Sequence, residues 1–241
     1  MLRDREAIID LSVVLPTYNE RENIGELIQA ILDVLDPLSV KPQILVVDDN
    51  SPDGTADLIR ERFYSRPEVT LHVRTQERGL ATAIAAGINL ARADVVAVMD
   101  TDFNHHPKDL PRLLENLSEA DLVIGSRYVP GGGMKTSRLR YLGSWCFNIF
   151  IRLVLGSPIK DNLSGFLVFK KQVITRLRDR AIFFGYGDYC IRLIHFARKS
   201  GFILREVPVV YEFRLGGESK THFVKYLVDY IQATLALRFN R

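Results

Sequence analysis

The stretch Val95-Val96-Ala97-Val98-Met99-Asp100-Thr101-Asp102 decides the reading of the chain. Apolar residues run straight into two carboxylates separated by a single residue. The run is short, β-branched and bounded by polar residues, which predicts a buried strand. The carboxylates then stand at its C-terminal end, where open α/β sheets bind ligands. Two carboxylates this close repel each other unless a cation lies between or beside them. A hard divalent ion with oxygen ligands, Mg2+ or Mn2+, satisfies both and can hold a diphosphate as well. Taken alone, the same pattern also fits a polar turn after a core strand.

Similar strands precede this one. Residues 11–15 predict the first, followed by the loop Pro16-Thr17-Tyr18-Asn19-Glu20. Asn19 is expected to cap the next helix, with Glu22 in its first turn. That helix carries Ile24, Leu27, Ile28, Ile31, Leu32 and Leu35 at helical spacing. Residues 43–47 predict a second strand, again ending in carboxylates, Asp48 and Asp49, before a dense turn over 50–54. Asp53 or Thr55 then caps a helix running to residue 63. A third strand over 69–74 and an Ala-rich helix over 79–93 lead into the opening stretch. Beyond it, helices are expected over 110–119, 135–156, 189–199 and 222–241, and strands over 121–125, 166–169 and 202–210. Pro208 marks the last of these as an edge strand. Alternating strands and helices predict a parallel, doubly wound sheet.

Composition agrees with such a domain. The chain has 241 residues, 47% hydrophobic and 25% charged, enough for a large core. The net charge of +3 is too small for a polycation. Basic residues thicken locally over 135–140 and 170–180, where an anionic partner can bind. Cys146 and Cys190 lie in apolar, helical surroundings and read as buried thiols rather than a disulfide. Residues 1–10 carry no signal-peptide apolar core, and no apolar run reaches the roughly 18 residues of a membrane span.

Three strand ends therefore carry polar, acidic chemistry: Tyr18 with Glu20, Asp48 with Asp49, and Asp100 with Asp102. If adjacent in the sheet, they line one crevice. Neither Gly-x-Gly-x-x-Gly after the first strand nor Gly-x-x-x-x-Gly-Lys-Ser/Thr is present, which argues against NAD enzymes and P-loop NTPases. A crevice with acids in place of a glycine-rich cradle must neutralise phosphates by metal, and its acids can accept from ribose and base donors. The composite points to a nucleoside-diphosphate site.

Five motifs in order sharpen this. They are residues 14–24 (VLPTYNERENI), 46–55 (VVDDNSPDGT), 99–107 (MDTDFNHHP), 125–132 (GSRYVPGG) and 217–220 (GESK). Together they resemble family 2 glycosyltransferases of GT-A fold, and among them the dolichyl-phosphate mannose synthase-like group. The resemblance implies a Rossmann-like, mostly parallel sheet flanked by helices, with a catalytic domain over 1–221 and a C-terminal amphipathic helix over 222–241. It implies that Pro16, Tyr18, Glu20, Val47 and Asp49 contact the donor's base and ribose. It implies that Asp100, Thr101 and Asp102 hold metal and diphosphate, with Asn104 close by, the metal itself lying on Asp100 and Asp102. Arg127, Arg214 and Lys220 match positions that bind phosphates of donor or lipid acceptor, joined by one of Arg138 and Arg140. Asp100, Asp102 and Arg127 are thus the expected catalytic set. Thr101 stands where Ala is usual, and Asn104 where Gln or Ser is common.

The reaction implied is an inverting, metal-dependent transfer of a hexose from GDP-mannose or UDP-glucose to a polyprenyl or dolichyl phosphate. Arg127, Arg214 and Lys220 make independent sense there, since an anionic acceptor must approach an anionic donor. A phosphate acceptor is already ionised and needs no strong base. A sugar hydroxyl acceptor would need one, with Asp188 or Asp161 as candidates. Asp188 reads rather as a helix cap. His105 and His106 are either metal ligands or packing and capping residues. A soluble acceptor, or a nucleotide-sugar-binding subunit without turnover, are the other readings. The amphipathic stretches over 139–155 and 223–239 fit peripheral contact at the cytoplasmic face of a membrane, packing on the sheet, or a homo-oligomer contact. No nucleic-acid partner is expected.

Overall fold

The computed structural model describes residues 9–135, 138–212 and 223–239. Its first half alternates strand and helix: β1 (Leu11–Thr17), α1 (Ile24–Leu35), β2 (Pro42–Asp48), α2 (Thr55–Arg62), β3 (Val69–Val73), α3 (Leu80–Leu90) and β4 (Val95–Val98). Then come α4 (Leu110–Asn116), β5 (Leu122–Ser126), β6 (Gly133–Met134), α5 (Arg138–Leu155), β7 (Leu167–Lys170) and α6 (Lys171–Arg176). The chain continues through α7 (Tyr189–Lys199), β8 (Leu204–Pro208), β9 (Val210–Tyr211) and α8 (Phe223–Phe239).

Seven strands form the central sheet in the order β3-β2-β1-β4-β7-β5-β8, and β6 pairs with β9 apart from it. β8 is an edge strand, as Pro208 predicts. Both faces of the sheet are covered, so the strands are apolar at successive positions. Val13 and Leu15 belong to one buried cluster, with α1 and α4, while Val14 faces the other, with α3 and α7. A third, smaller cluster joins α5, α7 and α8 through Ile151, Leu155, Ile191, Tyr230 and Leu237.

The sheet is mostly parallel, as the resemblance implies, with one exception. β7 runs antiparallel to both β4 and β5. Its direction follows from where the chain enters: the turn at residues 161–165 lies at the carboxyl edge of the parallel strands, so β7 must run back from that edge. The caps also differ. Asn19 takes a left-handed conformation with φ 55°; Asn23 holds the N-cap position of α1, and Glu26 rather than Glu22 lies in the first turn. Gly54 precedes α2, while the Asp53 carboxylate accepts from the Thr55 N–H at 3.0 Å. Cys190 is buried as expected, but Cys146 is exposed on α5. Among the described residues no helix is long and apolar enough to cross a membrane.

Helix α3 sits unusually close to the sheet. A Cβ added at Gly87 would lie 2.3 Å from Val14 Cγ1 and 3.2 Å from Val47 Cγ2. Gly87→Ala is therefore expected to destabilise the fold by about 1–3 kcal/mol despite the better helix propensity of alanine. Urea unfolding of the two proteins checks it, and equal stability would show that α3 can retreat at no cost.

Candidate active site

The crevice is assembled from the ends of β2, β1 and β4, which are neighbours in the sheet. Each of these ends carries a non-glycine residue of positive φ: Asn19 (55°), Asn50 (54°) and Phe103 (63°). Asparagine tolerates this conformation, but Phe103 adopts it at a cost of about 1–2 kcal/mol, offset by burial of its ring in the core. The resulting turn brings Asn104 against Asp102: its backbone N–H donates to Oδ1 at 3.1 Å and its Nδ2 to Oδ2 at 2.8 Å.

The three loops are laced together. Thr101 Oγ1 donates to the Pro16 carbonyl at 3.4 Å, joining the β4 end to the β1 end. The Asn19 N–H donates to Ser51 Oγ at 2.9 Å and the Glu20 N–H to Thr55 Oγ1 at 3.1 Å, joining β1 to β2. Asp48 is wholly buried and serves the turn, accepting from Thr17 Oγ1 and the Ser51 N–H. Asp49 is also tied: its Oδ1 accepts from Arg74 Nε at 2.7 Å and its Oδ2 from the Gly79 N–H at 2.7 Å.

The crevice has a volume of about 570 Å³. Pro16, Tyr18, Glu20, Asp49, Asp100, Thr101, Asp102, Asn104 and Arg127 all line it. Val47 does not; its side chain is fully buried beneath α3. Arg214 and Lys220 lie outside the described residues, as do the side chains of Arg138 and Arg140. The sequence reading missed Arg78, Tyr186, Tyr189, Tyr211 and Tyr230, which also line the crevice. Arg78 lies over the Tyr18 ring, 5.3 Å from its centroid. The Gly-Tyr-Gly-Asp-Tyr run at 185–189 was the available signal for two of these tyrosines.

Arg127 is buried rather than extended toward solvent. Its Nε and Nη2 donate to the two oxygens of Asp161, each at 2.7 Å, and its backbone N–H donates to Oδ2 at 3.0 Å. Its guanidinium also lies 4.6 Å from the Tyr211 ring centroid. Burial alone would lower the Arg127 pKa, but Asp161 outweighs it and holds the guanidinium well above its ordinary value. Burial likewise pushes the Tyr189 and Tyr211 phenols well above theirs, so both stay neutral.

The candidate bases are both engaged. Asp161 is fully buried against Arg127. Asp188 occupies the N-cap position of α7 without bonding a helix N–H; it accepts from the Tyr186 N–H at 2.8 Å and from Arg192 Nη1 at 2.6 Å. It faces a separate groove against α8.

The histidines divide as packing and capping residues. His106 accepts from the Lys108 N–H and starts the turn before α4. His105 stacks on Phe166 and accepts from the Asp100 N–H through Nδ1 at 2.9 Å. That bond places its proton on Nε2, 3.6 Å from Asp100 Oδ2, and leaves no ring lone pair for a metal. Among the described residues no group of three or more His, Cys, Asp and Glu side chains could hold a metal ion. Asp100 and Asp102 still suit Mg2+ or Mn2+, which bind through one or two carboxylates and take further oxygens from substrate phosphates.

A sheet of this order with acidic strand ends is the architecture of the GT-A glycosyltransferases. The fold is shared with glucosyl-3-phosphoglycerate synthase from Mycobacterium tuberculosis, solved with Mn2+, UDP and glucosyl-3-phosphoglycerate. That structure matches at a TM-score of 0.70 and 20% identity over 96% of this chain and 80% of its own. The chain belongs to glycosyl transferase family 2, whose family model matches residues 12–178, and it is a glycosyltransferase. It is 38% identical to the undecaprenyl-phosphate mannosyltransferase of Micrococcus luteus over 86% of this chain and 85% of that protein. It is 38% identical to the polyprenol monophosphomannose synthase of Mycolicibacterium smegmatis, over 86% of this chain and 79% of that protein. A dolichol-phosphate mannosyltransferase of Pyrococcus furiosus is 37% identical over 87% of this chain, which spans 58% of that longer protein.

Two outcomes follow from the buried groups. Burial lowers the His105 pKa from 6.5 to about 3. The unfolded chain therefore takes up a proton below pH 6.5 that the folded chain refuses, so stability is full above that pH and falls as pH drops toward 3. Between pH 7 and pH 5 His105 should account for a loss of about 2 kcal/mol. Urea unfolding of His105→Gln at both pH values should show a shallower fall than the parent; an identical slope would remove His105 from the account. Asp161→Ala should cost about 3–5 kcal/mol at pH 7, because it strands a buried guanidinium, and the same unfolding measurement reads it.

Proposed function

We propose that the chain transfers a hexose from a nucleotide sugar to a polyprenyl or dolichyl phosphate, with inversion at the anomeric carbon. One observation carries the acceptor: both candidate bases are consumed, Asp161 by Arg127 and Asp188 by Arg192. A sugar hydroxyl must lose a proton as it attacks, whereas a phosphate monoester is already ionised at neutral pH. The names of the relatives, all mannosyltransferases or mannose synthases for lipid phosphates, support the same acceptor and favour mannose.

In this reading Pro16, Tyr18, Glu20 and Asp49 receive the donor's base and ribose. The β2 end lies two strands from the β4 end, about 10 Å, a span suited to a nucleoside on one side and its diphosphate on the other. Asp100 and Asp102 would hold Mg2+ or Mn2+, with Thr101 and Asn104 beside the diphosphate. The bound ion supplies Lewis-acid stabilisation of the departing diphosphate. The acceptor phosphate oxygen forms the new bond to the anomeric carbon as the bond to the nucleoside diphosphate breaks. Arg214 and Lys220 would offset the repulsion between the two phosphates, while Arg127, whose charge Asp161 already balances, would donate from its remaining N–H groups. GDP-mannose and UDP-glucose are the donors to compare.

A lipid acceptor also gives a use to the apolar side chains exposed on two helices. Leu142, Trp145 and Leu153 project from α5, and Val228, Leu235 and Phe239 from α8. They support peripheral contact with a membrane, for which the cytoplasmic face is the proposed side.

Purified protein, labelled GDP-mannose or UDP-glucose, undecaprenyl phosphate and Mg2+ or Mn2+ test the reading. A chloroform-soluble labelled product is expected. Its absence with both donors, alongside transfer to a soluble saccharide, would overturn the lipid acceptor. Asp102→Ala should lower the rate at least about 100-fold with the fold intact by circular dichroism, and full activity would remove Asp102 from the metal site.

A further inference from the structure

Glu206 stands on the edge strand β8, opposite Ile124 of β5, and no motif of the sequence singles it out. Its carboxylate is nonetheless fully engaged. Oε1 accepts from Ser126 Oγ at 2.7 Å and from the Asp161 N–H at 3.0 Å, and Oε2 accepts from the Lys160 N–H at 2.8 Å. One side chain thus fixes the last residue of β5 and the two residues that begin the turn into β7.

Those are the two supports of the crevice arginine. Ser126 precedes Arg127 in the chain. Asp161 holds Arg127 through three bonds, two to the side chain and one to the backbone. A carboxylate binds a guanidinium with both oxygens only when their planes coincide, so the angle of the Asp161 side chain sets the plane of the Arg127 fork. That angle depends on the backbone of residues 160–161, which Glu206 holds. The next residue of the turn is anchored elsewhere: the Asn162 N–H donates to Asn148 Oδ1 at 2.7 Å, and Ser157 Oγ donates to Asn162 Oδ1 at 2.9 Å. Loss of Glu206 would leave the path of the turn in place and release its first two residues.

We propose that Glu206 is a positioning residue for glycosyl transfer, acting on the acceptor side of the crevice through Asp161 and Arg127. The proposal rests on the proposed transfer to a lipid phosphate and, of the donor and acceptor phosphates that Arg127 is expected to meet, takes the acceptor's. Glu206 touches neither substrate; it fixes the geometry in which Arg127 meets the acceptor phosphate. Its negative charge matters as well as its length, because three donors converge on it. Glutamine would turn an amide N–H2 toward one of them.

The test is a mutant cycle with Glu206→Gln, Glu206→Ala, Arg127→Lys and the Arg127 double variants. The rate is measured per folded protein against acceptor and donor concentration separately. Glu206→Ala is expected to lower kcat/KM for undecaprenyl phosphate at least about tenfold, with Glu206→Gln intermediate and the KM for the nucleotide sugar unchanged. In the Arg127→Lys background the same substitutions should add little, since residues acting as one unit are not additive. A purely structural role would instead lower melting temperature, leave the acceptor KM unchanged and add in full to Arg127→Lys; either of the last two results overturns the proposal. A second readout does not depend on the acceptor. The Arg127 Nε–H signal in 15N-correlated NMR should exchange slowly in the parent and at least tenfold faster in Glu206→Ala. An unchanged signal rejects the positioning role even if the wild-type protein transfers sugar to undecaprenyl phosphate. Absence of that transfer with a released signal rejects the acceptor reading and leaves the positioning role standing.

Discussion

Three arginines are buried around the crevice, and each is bound to an aspartate. Arg74, Arg127 and Arg192 are 7%, 6% and 4% exposed, and their partners are Asp49, Asp161 and Asp188. A buried guanidinium is tolerable only when a carboxylate and further acceptors replace its water. Arg74 therefore also reaches the Gly79 carbonyl, and Arg192 the carbonyls of Ile182 and Phe184. Such pairs add little net stability over an apolar core, but breaking one is costly. Their effect here is positional. Each ties a loop to the sheet or to a helix: residues 74–79 to the end of β2, the 161–165 turn to the end of β5, and residues 182–188 to α7. The walls of the crevice are the loops so tied.

The fold was legible where chemistry is local. Strand positions followed from apolar runs, since both sheet faces are covered and alternation is not required. The convergence of three acidic strand ends followed from the βα alternation through β4, because right-handed crossovers leave successive parallel strands pointing the same way. The direction of β7 was not legible. Its residues Leu167–Lys170 read as any buried strand does, and nothing in four apolar and basic positions encodes orientation. That information lies in tertiary structure, in the turn at the crevice edge that precedes it.

The candidate site shows the same division. Asp100, Asp102, Tyr18 and Glu20 reach the crevice because they follow directly on strands whose ends define it. Val47 does not, because it lies within β2 beneath α3, whereas Asp49 follows the end of the strand. Asp161 and Asp188 looked like chemistry because an acid near a glycine-rich turn has no visible partner in the sequence. Their partners are Arg127, 34 residues away, and Arg192, on the next helical turn. The first pairing is non-local and escapes any reading by spacing. The second is an i, i+4 pair and was open to view.

The reversal of β7 also brings a second kind of strand end to the crevice. A purely parallel sheet would place only strand C-terminal ends at the crevice. The antiparallel strand adds its own beginning, residues 161–166, beside Asp100. Gly165 is the closest point: a Cβ there would lie 3.3 Å from the Tyr189 hydroxyl and 3.5 Å from Asp100 Oδ1. Glycine keeps this junction open between the carboxylates of β4 and the tyrosine wall of α7. On the β2 and β1 side, the acids are held by neutral donors or by Arg74. On the β7 and β5 side stands Arg127, its charge fixed by Asp161 and its face covered by Tyr211. The carboxylates at the end of β4 and the turn that carries Asp161 thus come from opposite ends of the adjacent strands β4 and β7, which their pairing joins.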